Sequence, residues 1–451
     1  VAVDATGAFA DLAKANEHAA FPQTPALLVG TRRRAFVRAT IREDHRMRIE
    51  ESAAGAEAKF DKLAGSRFAF FRGTALLFYR DMVGADAAMP TVLALGDVHP
   101  GNFGVMPNAD NAPIFSVNDF DECCYAPFTW DLKRGAVGFW LGADEVGGQE
   151  TKNRRRIVKH FIKGYHAAMC RFAEGESEKR DAFRIDNSPK IIRRLFDDAE
   201  TPRATWLRDK YLDETGRGFR SSEELTPIST RKAEFQKRIR NLVKESGLKA
   251  PERAGKLKVK DVAIRHGQGT ASLGLPRYYV LIEGPAQDAT DDLIIEFKQA
   301  RRSALEGLTP PNPFTFNGKA ERIAHGQSVH LLNGDVFYGA VEIDGMSFMT
   351  RERSPFREDI DMDDLSDKEW RKYAHVCGEA LAQAHALSDD LGRIDYDVDR
   401  AVIDAMAPLD LFIDDMIAFA EETADRLARD HDLYREDHAL GAFQRIEIAY
   451  R

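Results

Sequence analysis

Cysteine is scarce in this chain. There are four in 451 residues, and Cys123 and Cys124 are adjacent, which leaves neither a disulfide framework nor the spaced pairs of a zinc site. The four are expected to fill apolar interior. Long apolar runs are missing too. No stretch approaches the roughly 18 apolar residues of a membrane helix, and the start of the chain carries no signal-peptide core, so the expected compartment is the cytoplasm. Positive charge is not in excess. Lys and Arg number 64 against 73 Asp and Glu, for a net charge of −9 and a pI near 5.8. That balance argues against a nucleic-acid partner, which needs a basic face. The short basic runs at 32–34 and 154–156 read as solvated helix or loop faces.

What remains is a globular composition, 43% hydrophobic and 30% charged, on a chain too long for one ordinary core. Two lobes with a cleft between them are expected. The most informative stretch runs from Leu93 to Arg134. An apolar strand through Val92, Leu93, Ala94 and Leu95 ends in Gly96-Asp97 and enters a tight Pro100-Gly101-Asn102 turn. A second apolar strand, Ile114 to Val117, then delivers Asn118-Asp119-Phe120-Asp121-Glu122. Strands that each hand over carboxylates at a turn mark a polar site on a buried scaffold. Asp97, Asn102, Asp119 and Asp121 are the candidate functional groups.

Around it, residues 1–59 read as a helical N-terminal region broken by Pro22 and Pro25. Residues 60–84 hold an aromatic cluster (Phe68, Phe70, Phe71, Phe78, Tyr79) about Arg72. A buried arginine there calls for an anionic partner, either a structural ion pair or a phosphate. Residues 131–173 read as two helices separated by Gly147-Gly148. Residues 174–250 are the most polar stretch, expected to be surface helices or an insertion without chemistry. From 256 the pattern turns to strands: 258–265, a glycine-rich turn with Gly267, Gly269, Ser272 and Gly274, then 277–283 and 293–298. This antiparallel meander is followed by a hairpin over 335–350 that turns at Asp344-Gly345. Helices are expected at 368–388 and 400–430, the latter interrupted at Pro408. His385 is expected to pack in its helix and bond to backbone, with catalysis as the alternative. The expected units are thus 1–59, a helical lobe 60–255, a β-rich lobe 256–355, and C-terminal helices 356–451 that complete the helical lobe.

A glycine-rich hairpin brings bare backbone N–H groups to phosphate, and a lysine on the third strand reaches the same anion. Most Gly-x-Gly turns simply bend the chain, and Lys298 among Ile294, Ile295 and Phe297 has the alternative of pointing outward. The glycine turn upstream favours the phosphate reading.

These residues resemble a known pattern. Gly96-Asp97-Val98-His99-Pro100-Gly101-Asn102, Asp119-Phe120 and Asp131-Leu132 are similar to the catalytic segment of the protein-kinase-like superfamily, with aminoglycoside phosphotransferases the nearest variant. The strings SRFAFFRG, GDVHPGNFG, NDFDE, WDLKR, the 267–283 hairpin and EALAQAHALS resemble a bacterial family, domain-of-unknown-function family 2252, over about residues 60–430. The superfamily resemblance implies an α+β, protein-kinase-like two-lobe fold that uses ATP and Mg²⁺. It implies Asp97 as catalytic base, Asn102 and Asp119 as magnesium ligands, and Asp131 as a brace for the loop that carries His99. Asp121 is an extra carboxylate for a second metal or for solvent. The 267–274 backbone would cover the phosphates and Lys298 would contact them, with Glu306 or Glu321 as the lysine's partner. Because the glycine turn and lysine follow the catalytic loop instead of preceding it, the expected fold is circularly permuted. Leu95 stands where the superfamily usually has histidine.

The expected function is therefore an ATP-dependent phosphotransferase acting on a small-molecule acceptor whose identity the sequence does not reveal. The alternatives are nucleotidyl (AMP) transfer or a nucleotide-binding pseudokinase on the same fold, and a two-metal phosphoesterase built on Asp97, His99, Asp119 and Asp121.

Overall fold

The computed structural model describes residues 24–51, 53–175, 177–180, 182–199, 201–245, 251–266, 276–286, 288–356 and 358–444. The expectations for Gly267, Gly269, Ser272 and Gly274 lie outside the described residues.

The fold is α+β, with its strands in several small sheets. Four short strands frame the Leu93–Arg134 stretch: β1 (Thr91–Ala94), β2 (Phe103–Pro107), β3 (Pro113–Val117) and β4 (Cys124–Pro127). β2 and β3 form a hairpin. Its turn is closed by the Asn108 side chain, which accepts from the N–H groups of Asp110 and Ala112 at 3.0 and 2.8 Å, an Asx arrangement that replaces missing backbone partners. β1 and β4 pair antiparallel on either side of that hairpin, so everything between residues 95 and 123 is held at both ends.

The larger sheet contains β5 (Leu225–Pro227), β6 (Val259–Arg265), β7 (Arg277–Ile282), β8 (Leu293–Gln299), β9 (Gly339–Ile343) and β10 (Met346–Arg353). Their order is β5-β6-β7-β8-β10-β9, with antiparallel neighbours throughout. The expected hairpin turn at Asp344-Gly345 is present, both residues having positive φ, as a two-residue turn matched to strand twist requires. A last strand, β11 (Glu358–Asp359), returns to pair with β2.

The polar stretch 174–250 is not merely surface. β5 extends the sheet beyond β6, and the Lys232–Glu245 helix covers one sheet face with Phe235 and Ile239. These residues, with Leu242, recur at helical spacing and are buried. The six-stranded sheet thus takes in a strand from before residue 256.

Alternation sorts β8 into two faces. Leu293, Ile295 and Phe297 join Phe235, Val280, Ile282 and Phe348 in one core. Ile294 joins Tyr279, Leu281 and Trp206 in another. Glu296 and Lys298 share the Ile294 face because side chains two apart point the same way.

The helical part is built on Phe128–Glu145, Thr151–Gly175, Asp367–Asp390, Val398–Ala405 and Leu409–Ala439. Asp367–Asp390 starts at a reciprocal cap, Ser366 accepting from Glu369 N–H while the Glu369 side chain takes the Ser366 N–H. Phe128–Glu145 is buried on nearly every side, its Asp131 and Arg134 included. Gly138 on this helix backs directly onto the loop after β1: a β-carbon there would come within 2.9 Å of His99 Cβ. That near-contact seats the loop against the helix.

Candidate functional site

The turn after β1 is shaped by one carboxylate. Asp131, fully buried, accepts from the backbone N–H groups of Leu95 and Gly96 at 2.5 and 2.9 Å. Its Oδ2 also meets His385 Nε2 at 3.0 Å, and His385 Nδ1 meets Tyr165 OH at 2.8 Å. His385 is therefore a packed histidine, as expected, but its partners are side chains and not backbone. Gly96 has φ +83°, and a β-carbon there would lie 2.4 Å from the Glu122 carbonyl oxygen, so the residue before Asp97 must be glycine.

Asp97 is delivered from this turn toward Arg134. Arg134 Nε and Nη2 both donate to Asp97 Oδ1, at 3.0 and 2.7 Å, and Oδ2 has His99 Nε2 at 3.7 Å. Arg134 is wholly buried, with its guanidinium 3.9 Å from the centre of the Phe71 ring and Nη2 donating to the Phe71 carbonyl. Burial raises the Asp97 carboxyl above its ordinary value, and Arg134 partly opposes that shift. Sequence reasoning assigned Arg134 no role, although it follows Asp131 by one helical turn and so lies on the same helix face.

Among the described residues Arg72 meets a histidine instead of the carboxylate of a structural ion pair. Its Nε donates to His99 Nε2 at 3.2 Å, and its guanidinium lies over Phe68. His99 Nδ1 faces the Gly101 N–H at 3.1 Å. Burial, with Arg72 and Arg134 nearby, pushes the His99 pKa well down, and a neutral ring accepts at only one of its two nitrogens.

Asn102 and Asp119 are neighbours through the β2–β3 hairpin. Phe103 pairs with Val117, and the Asn118 N–H donates to the Asn102 carbonyl at 3.1 Å. The Asn102 amide nitrogen donates to the Asp97 carbonyl at 2.7 Å, which leaves its side-chain oxygen as an acceptor. Asp119 is half-buried, with one oxygen 3.3 Å from the Asp121 N–H.

Lys298 comes from β8 of the six-stranded sheet. Its ammonium meets Asp121 Oδ2 at 2.5 Å. Asp121 keeps a quarter of its side chain exposed, and its Oδ2 is engaged by Lys298. Burial alone would raise its carboxyl, but Lys298, then Arg351 and Arg277, outweigh burial and hold it below its ordinary value. Neither carboxylate proposed as the lysine's partner fills that role. Glu306 is exposed in the turn after β8, and Glu321, in the first turn of Lys319–His330, lies 4.0 Å from Arg393.

The sheet face behind Lys298 is strongly cationic. Cross-strand register sets Arg277 opposite Lys298 and Arg351 opposite Glu296. Glu296 takes both arginines, at 2.9 and 2.5 Å. This leaves Lys298 to reach across to the acidic turn. Glu296, Arg277 and Arg351 escaped the sequence reading, although alternation in Leu293–Lys298 already put Glu296 on the lysine's face.

Glu122 is tied down as well. Its Oε2 accepts from the Ala304 N–H at 2.5 Å and its carbonyl from Ser303 Oγ at 2.6 Å. Burial pushes its carboxyl up to about 7. Among the described residues no group of three His, Cys, Asp or Glu could hold a metal ion by itself. Asn102 and Asp119 offer hard oxygen donors of the kind magnesium takes when phosphates and water complete its shell.

Residues 52–437 match the family described as an uncharacterised protein conserved in bacteria, domain-of-unknown-function family 2252, and the chain belongs to that family. No curated protein and no solved structure matches it. No helix among the described residues is long and apolar enough to cross a membrane.

Proposed function

We propose that this member of the bacterial family is a Mg·ATP-dependent phosphotransferase with a protein-kinase-like two-lobe fold, circularly permuted, acting on a small-molecule acceptor. One observation carries the reading. Lys298, from the third strand of the β6-β7-β8 meander, reaches the Asp119–Glu122 turn at 2.5 Å across 177 residues of chain. A lysine on the third strand, followed by a helix (Lys319–His330) before the next strand, is the arrangement that kinases use to hold phosphates.

Each residue then has a task. Asn102 and Asp119 would hold magnesium, which would supply positive charge against the charge that develops on the phosphates. Lys298 exchanges Asp121 for the α- and β-phosphates. Arg351 and Arg277 keep that face positive without competing for the ligand, because Glu296 holds them both. Asp97 accepts the acceptor hydroxyl's proton at Oδ2, since Oδ1 is occupied by Arg134. A bond forms from the acceptor oxygen to the γ-phosphorus, and the bridging oxygen leaves with its electron pair as ADP. Asp131 keeps the loop in place throughout. Among the described residues, no group of three His, Cys, Asp or Glu supports the two-metal hydrolase alternative.

Incubation with α- and γ-labelled ATP and a metabolite pool tests the reading. Only the γ label should move to an acceptor, and Asp97→Asn should abolish transfer while leaving nucleotide affinity within about twofold. Movement of the α label would favour nucleotidyl transfer, and turnover retained in Asp97→Asn would remove Asp97 as the base.

A further inference from the structure

Two cations beside the acidic turns are matched within the chain, Arg134 by Asp97 at 2.7 Å and Lys298 by Asp121 at 2.5 Å. Arg72 is not. Among the described residues its polar and ring contacts are the His99 imidazole, 3.2 Å from Nε, and the Phe68 ring, 5.6 Å from Cζ, and no carboxylate lies at ion-pair distance. Its two Nη groups have no hydrogen-bond partner there, and neither is sealed from solvent.

The guanidinium is nonetheless held in place next to the base. Phe68 supports it and stands edge-on to His99, with ring centres 6.1 Å apart. The His99 Nε2 that receives Arg72 Nε is also the nitrogen 3.7 Å from Asp97 Oδ2. Arg72 and the free oxygen of Asp97 thus flank one ring atom. Burial raises the Asp97 carboxyl, Arg134 opposes that first, and Arg72 adds to the opposition against Asp119, the carboxylate given to magnesium above.

Gly101 leaves the guanidinium open on the side of the turn. A β-carbon at that position would stand 3.7 Å from Arg72 Cζ, so a larger residue would cover part of it. An acceptor atom is also missing here. The Arg72 Nε–H and the Gly101 N–H both face the His99 ring, at Nε2 and Nδ1, and a neutral imidazole accepts at only one nitrogen. A phosphate or carboxylate fits both deficits, because its oxygens match the arginine fork and accept several donors at once.

We infer that the acceptor is itself an anion: a small hydroxylated molecule whose phosphate or carboxylate is gripped by Arg72 while its hydroxyl sits at Asp97 Oδ2. A cationic acceptor would be repelled by the same guanidinium. The place of the hydroxyl rests on the phosphotransfer reading, whereas the anion site is measurable without transfer.

Glycerol, glycerate and glycerol 3-phosphate serve as probes, since they share a three-carbon frame and differ in charge and in the anionic group. Binding is read by calorimetry without nucleotide, at fixed ionic strength, in a Lys298→Met background that removes the neighbouring ammonium. At least one of the two anions should bind about tenfold or more tighter than glycerol, as charge-assisted bonds allow, and which one does so tells phosphate from carboxylate. Adding Arg72→Gln should erase that preference, and Arg72→Lys should keep part of it, because lysine retains the charge without the fork. In the otherwise unaltered protein, Arg72→Gln should leave Mg·ATP affinity within about twofold. No preference for either anion, or a preference that survives Arg72→Gln, overturns the inference. So does a tenfold loss of Mg·ATP affinity, which would assign Arg72 to the nucleotide. If the preference depends on Arg72 but the γ label reaches no acceptor, the phosphotransfer reading falls and the anion site stands.

Discussion

Glu122→Gln isolates one buried carboxyl on the acidic turn. In the folded protein Glu122 titrates near 7, against an ordinary value of 4.5, because burial disfavours its charge. Between those values the unfolded chain has lost the proton and the folded chain retains it. The unfolded state binds fewer protons there, so stability falls as pH rises from about 4.5 to about 7. At about 1.4 kcal/mol per pKa unit the full cost is roughly 3 kcal/mol, of which roughly 2 to 3 kcal/mol develops between pH 5 and pH 8. Glutamine keeps an oxygen for the Ala304 N–H and cannot ionise. Urea unfolding of both proteins at pH 5 and pH 8 should therefore show the variant gaining roughly 2 to 3 kcal/mol on wild type across that interval. A difference between the two proteins that is the same at both pH values would refute the burial argument.

Two further substitutions follow from the same loop. Arg134→Met takes the cation away from the partly buried Asp97 carboxylate, 17% exposed, and should cost about 1–3 kcal/mol in chemical denaturation. With the opposing cation gone the Asp97 carboxyl rises further, so the acid limb of any residual turnover should move to higher pH. Gly138→Ala forces a β-carbon to within 2.9 Å of His99 Cβ and 3.0 Å of its Cα. Despite alanine's better helix propensity, it should lower stability by about 1–3 kcal/mol and displace the His99–Asn102 turn, readable as a lower melting temperature together with reduced turnover.

Local pattern carried much of this molecule. The Gly96-Asp97 turn, the carboxylates after β3, the meander and the Asp344-Gly345 hairpin were all legible, because turn chemistry and period-two alternation are properties of neighbouring residues. The Asp131 brace also lay within that stretch. The errors have a common physical origin in distance along the chain. Which carboxylate meets Lys298 depends on how the six-stranded sheet packs on a turn 177 residues away, and spacing along β8 and the following helix pointed to Glu306 or Glu321 instead of Asp121. Arg72 was expected to find an anion, an ion-pair acid or a phosphate, because its neighbours are aromatic, and within the chain it is His99 Nε2 that meets its Nε. The 174–250 stretch looked peripheral because its outer faces are charged. Its inward residues, Phe235 and Ile239, are few but fully buried. β5, only three residues long, carries too little pattern to read as a strand.

The central claim is that Lys298 and the acidic turns enclose one magnesium–nucleotide pocket. A double-mutant cycle on Mg·ATP affinity with Lys298→Met and Asp119→Ala, read by calorimetry, tests it most directly. The account predicts that each single substitution weakens binding about tenfold or more and that the two effects are coupled by about 1 kcal/mol or more. Effects that add to within about 0.3–0.5 kcal/mol, or Mg·ATP affinity untouched by Lys298→Met, would contradict it.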